Sequence, residues 1–237
     1  MKLDQRDRVP NPVMHELEHL ARKYTTDKND HSHNYMPVYI DLFGHRKEEP
    51  LIIIELGTDM RCRSTRMWEE YFPKAIIYGA DIDSKANARA TDRIKILTSF
   101  DFGKEENVVR LKTLLPAEVD YIIDDASHNV DHIILCHRLL WDLVKPGGAY
   151  VIEDTSKAYF SERKSSEQGR RPTEQGTRMI DYFGKVIASL NGTGEPNFHN
   201  YKRFKEAGYP YGNDWATRIE QIRFQAEMII MDYRKEL

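Results

Sequence analysis

Five short apolar runs, each closed by an acid or a glycine turn, constrain this chain more than any other feature. The first, Leu51-Ile52-Ile53-Ile54-Glu55-Leu56, stops at Gly57. A run with so little polar alternation suits a parallel strand covered on both faces. Ala75 to Ala80 leads into Asp81, and Ile94 to Leu97 precedes a polar turn that holds Asp101. Val119 to Ile123 delivers Asp124 and Asp125, and Ala149 to Ile152 delivers Glu153 and Asp154.

Helical stretches fill the gaps between these runs. Ser64 is placed to cap a helix from Thr65 to Tyr71, with Pro73 beyond it. Lys104 to Leu115 and about Val130 to Val144 are the next two, the latter stopped by Lys145-Pro146-Gly147-Gly148. Strand and helix in alternation predict a doubly wound, Rossmann-like α/β fold with a mostly parallel sheet. Ile219 to Phe224 and Glu227 to Met231 supply a terminal antiparallel pair, giving seven strands, although that stretch fits a helix as well.

The flanks read differently. Residues 12 to 24 and 36 to 44 predict short helices around a polar, His-rich turn, so 1–47 forms an N-terminal helical segment. Residues 161–175 are polar and aperiodic, the pattern of a mobile lid. A helix from about Thr177 to Leu190 follows, and the aromatic-rich tract from Phe198 to Trp215 is a candidate pocket lining.

At 237 residues and 40% hydrophobic, the chain holds enough for one core and one domain. Its net charge of −3 and the lack of a basic stripe argue against nucleic acid as a partner. The charged start excludes a secretory signal, and no apolar run reaches the length of a membrane span. Two cysteines, Cys62 and Cys136, are too few for a disulfide framework or a thiolate metal site. The expected location is cytoplasmic.

In open α/β sheets the ligand lies beyond the carboxyl ends of the strands, where strand order reverses. Here every central strand ends in acid, and carboxylates crowded at one rim need a cation or hydroxyl donors to offset their repulsion. Glu55 and Gly57, followed about twenty residues later by Asp81, match the arrangement that holds an adenosine ribose. The competing reading makes Asp81 a cap for the next turn. The loop Gly57-Thr58-Asp59-Met60-Arg61-Cys62-Arg63-Ser64 holds one glycine and an acid. That disfavours a diphosphate and suits a cofactor without phosphate, such as S-adenosylmethionine. Whether Arg61 and Arg63 face the site or the solvent is open at this level.

Asp125, Glu153 and Asp154 end adjacent strands and offer hard oxygen ligands, which select Mg²⁺, Ca²⁺ or Mn²⁺ over Zn²⁺. His128, three residues past Asp125, is a candidate general base, since an imidazole titrates close to neutrality. His132 and His137 read as ordinary helix residues, and Cys136 as core.

Several of these stretches together resemble a known family. Ile122-Ile123-Asp124-Asp125-Ala126-Ser127-His128, Lys145 to Thr155, and Arg66-Met67-Trp68-Glu69-Glu70-Tyr71-Phe72-Pro73 are similar to the macrolide sugar O-methyltransferases. Tyr24-Thr25-Thr26-Asp27-Lys28, with His33, Tyr35 and Tyr39, is similar to that family's N-terminal motif. The resemblance spans roughly residues 20 to 160 and implies a class I methyltransferase fold and Mg²⁺-dependent transfer from S-adenosylmethionine to a sugar hydroxyl. It further implies Asp125, Glu153 and Asp154 as metal ligands and His128 as base. The implied cofactor contacts are Thr26, Glu55, Gly57, Ser64, Asp81, Asp101 and Asp124. A small glycosylated substrate and a homo-oligomer are implied as partners. Family loops carry a second glycine where this chain has Arg61-Cys62-Arg63. A metal-assisted enzyme that does not methylate and a non-catalytic partner subunit are therefore the alternatives.

Overall fold

A computed structural model of the chain describes residues 15–156, 174–191, 218–225 and 227–234. The elements run α1 (Glu16–Lys23), α2 (Met36–Phe43), β1 (Ile52–Leu56), α3 (Arg63–Tyr71), β2 (Ile76–Asp81), β3 (Ile94–Thr98), α4 (Glu105–Leu114), β4 (Val119–Asp124), α5 (Val130–Leu140), β5 (Val144–Ile152), α6 (Glu174–Asn191), β6 (Ile219–Gln225) and β7 (Met228–Tyr233). The strands form one seven-stranded sheet in the order β3-β2-β1-β4-β5-β7-β6. β3, β2, β1, β4 and β5 pair in parallel; β7 joins β5 antiparallel and β6 pairs antiparallel with β7. The expected doubly wound sheet and its terminal hairpin are both present.

Two apolar cores explain why the strand sequences lack alternation. Ile54, Leu56, Ile122, Tyr150 and Ile152 face one core with α4, α5 and α6. Ile53, Ile77, Tyr121, Ile123 and Val151 face the other with α1, α2 and α3. Odd and even positions of one strand thus enter different cores, as period-two geometry requires. In the second core Tyr39, Phe43, Trp68 and Phe72 pack ring on ring and anchor α2 against α3. That contact brings the polar turn between α1 and α2 to the carboxyl ends of β1, β4 and β5.

Three local expectations are corrected. Ser64 does not cap α3; the cap position is Cys62, in the left-handed region at φ 49°, and Ser64 lies inside the helix. The helix expected to reach Val144 ends at Leu140, followed by a single 3-10 turn at Trp141–Leu143. Lys145-Pro146-Gly147-Gly148 then belongs to β5, whose register with β4 shifts between Val119 and Tyr121. Gly148 is needed there because a Cβ would lie 2.1 Å from the Asp120 carbonyl oxygen, so the glycines serve a close strand approach, not a helix stop. The expected lid falls outside the described residues as far as 173, and the tract 198–215 does so entirely. Among the described residues no helix is long and apolar enough to cross a membrane.

Candidate active site

The strand order reverses between β1 and β4, and the loops after these two strands touch. Gly57 has φ +82°, and a Cβ on it would meet the Asp125 carbonyl oxygen at 2.3 Å and the Ala126 Cα at 2.6 Å. Only glycine fits that crossing. Beyond Gly57 the loop is shaped by Asp59 (φ 52°) and Cys62 (φ 49°), two non-glycine residues in the left-handed region. The loop thus makes its left-handed turns with L-residues, where glycine would adopt them without steric cost. Asp59 Oδ1 stabilises the bend by accepting from the Arg61 and Cys62 backbone N–H groups, the latter at 3.1 Å.

Two adjoining clefts open at this point. One, about 270 Å³, is lined by Thr26, Asp27, Gly57, Thr58, Asp59, Arg63, Ser64, Asp81, Asp125, Ala126 and His128. The other, about 280 Å³, shares Gly57, Asp81 and Ala126 and adds Ile82, Phe100, Asp101, Phe102, Ser127 and His132. The first is acidic and the second mostly apolar, a division that fits a molecule with a charged end and a flat heterocyclic end. Of the expected cofactor contacts, Thr26, Gly57, Ser64, Asp81 and Asp101 line these clefts. Glu55 and Asp124 do not. Both carboxyls are fully buried beneath the floor, where burial pushes each up to about 7. Glu55 accepts from the Thr65 hydroxyl at 2.9 Å, and Asp124 from the Tyr150 hydroxyl at 3.4 Å.

Asp81 caps the next turn, as the competing reading had it, and also lines both clefts. Its Oδ2 accepts from the Thr58 and Asp59 backbone N–H groups at 2.8 and 3.0 Å, and Oδ1 accepts from Asp83 at 2.8 Å. By lone-pair count this leaves Oδ1 room for one further hydroxyl, not for two. The same bonds tie the β1 loop to the end of β2.

The acid rim is organised around a residue that composition could not single out. Lys28 is fully buried, and its Nζ donates to Asp125 Oδ2 and Glu153 Oε2, each at 2.6 Å, with Glu55 Oε1 at 3.8 Å. Burial alone would push this amine down, but the surrounding carboxylates raise it well above its ordinary value, so it stays charged. Glu153 is further held by the Tyr39 hydroxyl. Desolvation pushes both Glu153 and Asp125 up, and Lys28 opposes it.

With its carboxylate engaged in this way, Glu153 lies outside the groups of converging ligand atoms among the described residues. Its carboxylate is held by Lys28 and Tyr39, whereas the equally buried Asp154, with φ 54°, meets Tyr35 and approaches His33 and His128. Asp125, His128 and Asp154 each offer a ligand atom, and these atoms lie within 4.8 Å of one another. His128 Nε2 is 3.5 Å from Asp154 Oδ2, and the Tyr35 hydroxyl donates to Asp154 Oδ1 at 2.7 Å. On the other side of Asp154, His33 Nδ1 lies 2.7 Å from Glu227 Oε2 and 3.5 Å from Asp154 Oδ1.

Cys136, expected in the core, is buried there, and His137, expected as an ordinary helix residue, is buried as well. His132 differs from expectation: it lines the apolar cleft and pairs with the Ser127 hydroxyl at 2.7 Å. Phe100 and Phe102 went unnoticed; their position after the third strand was the available signal.

Comparison with known proteins gives relatives of one kind. No family model matches the chain. It is 32% identical over 151 residues to demethylmacrocin O-methyltransferase of Streptomyces fradiae, covering 61% of this chain and 38% of that one. Over 152 residues it is 32% identical to mycinamicin VI 2''-O-methyltransferase of Micromonospora griseorubida, covering 61% and 37%. A longer match, 28% identical over 225 residues, covers 86% of the chain and 58% of 8-demethyl-8-alpha-L-rhamnosyl tetracenomycin-C 2'-O-methyltransferase of Streptomyces olivaceus. The chain thus spans between 37% and 58% of the length of these curated relatives. Among solved structures, the mycinamycin-pathway methyltransferase MycE in complex with Mg, SAH and mycinamycin VI superposes with a TM-score of 0.73 at 23% identity, over 93% of this chain and 54% of that one. The two share the Rossmann-like fold.

Proposed function

We propose that this chain, a relative of the sugar O-methyltransferases of macrolide and tetracenomycin biosynthesis, is itself an O-methyltransferase. In this reading it uses S-adenosylmethionine and a hard divalent cation to methylate a hydroxyl on the sugar of a glycosylated natural product. One observation carries it: Asp125 and His128 belong at once to the acidic cleft and to the Asp125–His128–Asp154 group. A nucleoside cleft that shares a wall with a carboxylate pair for the cation and a neighbouring imidazole base would hold donor and acceptor side by side.

The residues present fit both groups. For the cofactor, Phe100, Phe102 and Ile82 offer an apolar slot for a purine, Asp81 an acceptor for a ribose hydroxyl, and Asp27 and Asp125 negative charge for a cationic tail. The Thr26 hydroxyl lines the cleft, is buried and has no partner in the structure, an orphan of the kind a ligand satisfies. For the cation, Asp125 and Asp154 supply hard oxygen donors from adjacent strand ends. Glu153 supports them from beneath through Lys28. Once bound, the cation lowers the pKa of a coordinated hydroxyl and the sulfonium supplies the methyl group. His128 takes the hydroxyl proton on Nε2, and the Asp154 carboxylate 3.5 Å away stabilises the imidazolium so formed. His128, with a left-handed backbone at φ 54°, lines the acidic cleft.

The test is a turnover assay that follows S-adenosylhomocysteine with glycosylated macrolide acceptors. Asp154→Ala and excess EDTA should each abolish product while cofactor affinity stays within about threefold, because Asp154 belongs to the cation group but not to the cleft lining. Full activity under either condition removes the metal from the reaction.

A further inference from the structure

The acidic cleft contains one permanently cationic side chain among its described lining residues, and it comes from the glycine-poor stretch Arg61-Cys62-Arg63. Arg63 faces the cleft; Arg61, two residues earlier, is exposed to solvent. The guanidinium is braced, with Nη1 donating to the Thr25 carbonyl at 3.0 Å and Nη2 and Nε donating to Asp59 Oδ2 at 3.0 and 3.3 Å. Three of its five N–H groups are thereby used, and one remains on each terminal nitrogen. The residue after Thr25 is Thr26, 2% exposed, whose Oγ1 has no hydrogen-bond partner while its side chain lines the same cleft. A braced fork and an orphaned hydroxyl, linked through the Thr25 carbonyl, thus line a cleft whose acidic residues are Asp27, Asp59, Asp81 and Asp125.

We infer that Arg63 and Thr26 form the subsite for the α-carboxylate of the cofactor's amino-acid tail, making Arg63 a specificity-determining residue; the inference rests on the cofactor reading above. The tail is zwitterionic. Its ammonium matches the aspartates, but its carboxylate would be repelled by them, and it needs a cation with free donors together with a neutral hydroxyl. Arg63 supplies planar charge-assisted donors, and Thr26 supplies a hydroxyl already stripped of water. The left-handed turns at Asp59 and Cys62 bring the arginine to this position at the first turn of α3.

Two nucleosides separate this subsite from the rest of the cleft: S-adenosylhomocysteine, which has the tail, and 5′-methylthioadenosine, which lacks it. Calorimetric titration of the wild type, Arg63→Ala and Thr26→Val gives the answer. Arg63→Ala should raise the Kd for S-adenosylhomocysteine at least tenfold and leave 5′-methylthioadenosine within twofold, with Thr26→Val shifted in the same sense. Retained 5′-methylthioadenosine binding also reports that the variant is folded. Arg63→Ala that binds S-adenosylhomocysteine as tightly as the wild type overturns the subsite, as does equal weakening of both ligands, which would mean that Arg63 only shapes the loop. A wild type that binds neither nucleoside overturns the cofactor reading and the subsite with it.

Discussion

Lys28→Met isolates what holds the acid rim together. The Lys28 ammonium sits 2.6 Å from Asp125 Oδ2 and 2.6 Å from Glu153 Oε2, fully buried. Methionine keeps most of the side-chain volume, so little cavity forms, but two carboxylates lose their counter-charge in a site that already pushes their acidity down. Removing one partner of a buried ion pair costs about 3–5 kcal/mol. For a domain of this size each kcal/mol moves Tm by about 2–4 °C, so the expected fall is about 6–20 °C by these two figures. Differential scanning calorimetry in EDTA measures it. Adding Glu153→Gln to Lys28→Met should recover a substantial part of the loss, because the amide needs no counter-charge. A Lys28→Met protein that melts within about 2 °C of the wild type would refute the reasoning, since the ammonium would then contribute no net stability.

Two further predictions concern residues away from Lys28. Burial lowers the His137 imidazole to about 3, so from roughly pH 6.5 downward the unfolded chain takes up a proton that the native chain does not. Stability should therefore decline by about 1.4 kcal/mol per pH unit over that window from this group alone, and His137→Gln should flatten the acid limb of a urea-midpoint profile; an unchanged limb contradicts the assignment. Gly57→Ala forces a Cβ to within 2.3 Å of the Asp125 carbonyl oxygen at φ +82°. It should cost at least about 2 kcal/mol in urea unfolding and weaken S-adenosylhomocysteine binding, and an unshifted midpoint would show that the two loops do not touch.

What the sequence conveys and what it conceals divide along physical lines. The strands of the sheet were legible because burial on both faces demands uninterrupted apolar residues, and acids at their ends mark the rim where chemistry gathers. Pro146-Gly147-Gly148 misled because the same residues end a helix or permit a close strand approach, and only the Asp120 carbonyl 2.1 Å from a Gly148 Cβ decides between them. Ser64 failed as a cap because the bend is set by the Asp59 carboxylate and the left-handed Cys62 instead. Lys28 stands 97 residues from Asp125 and 125 from Glu153 along the chain, so no local pattern announces that it engages both carboxylates. The orientation of Arg63 was likewise undetermined until the loop path was known.

The central claim is that a cation held by Asp125 and Asp154 adjoins a nucleoside cleft running from Thr26 to Phe102. A crystal soaked with Mn²⁺ and S-adenosylhomocysteine, with anomalous data at the manganese edge, tests it most directly. The account predicts one anomalous peak bonded to Asp125 and Asp154, and a purine between Ile82 and Phe102. Manganese bound elsewhere, or a nucleoside absent from that cleft beside a filled metal site, would contradict it.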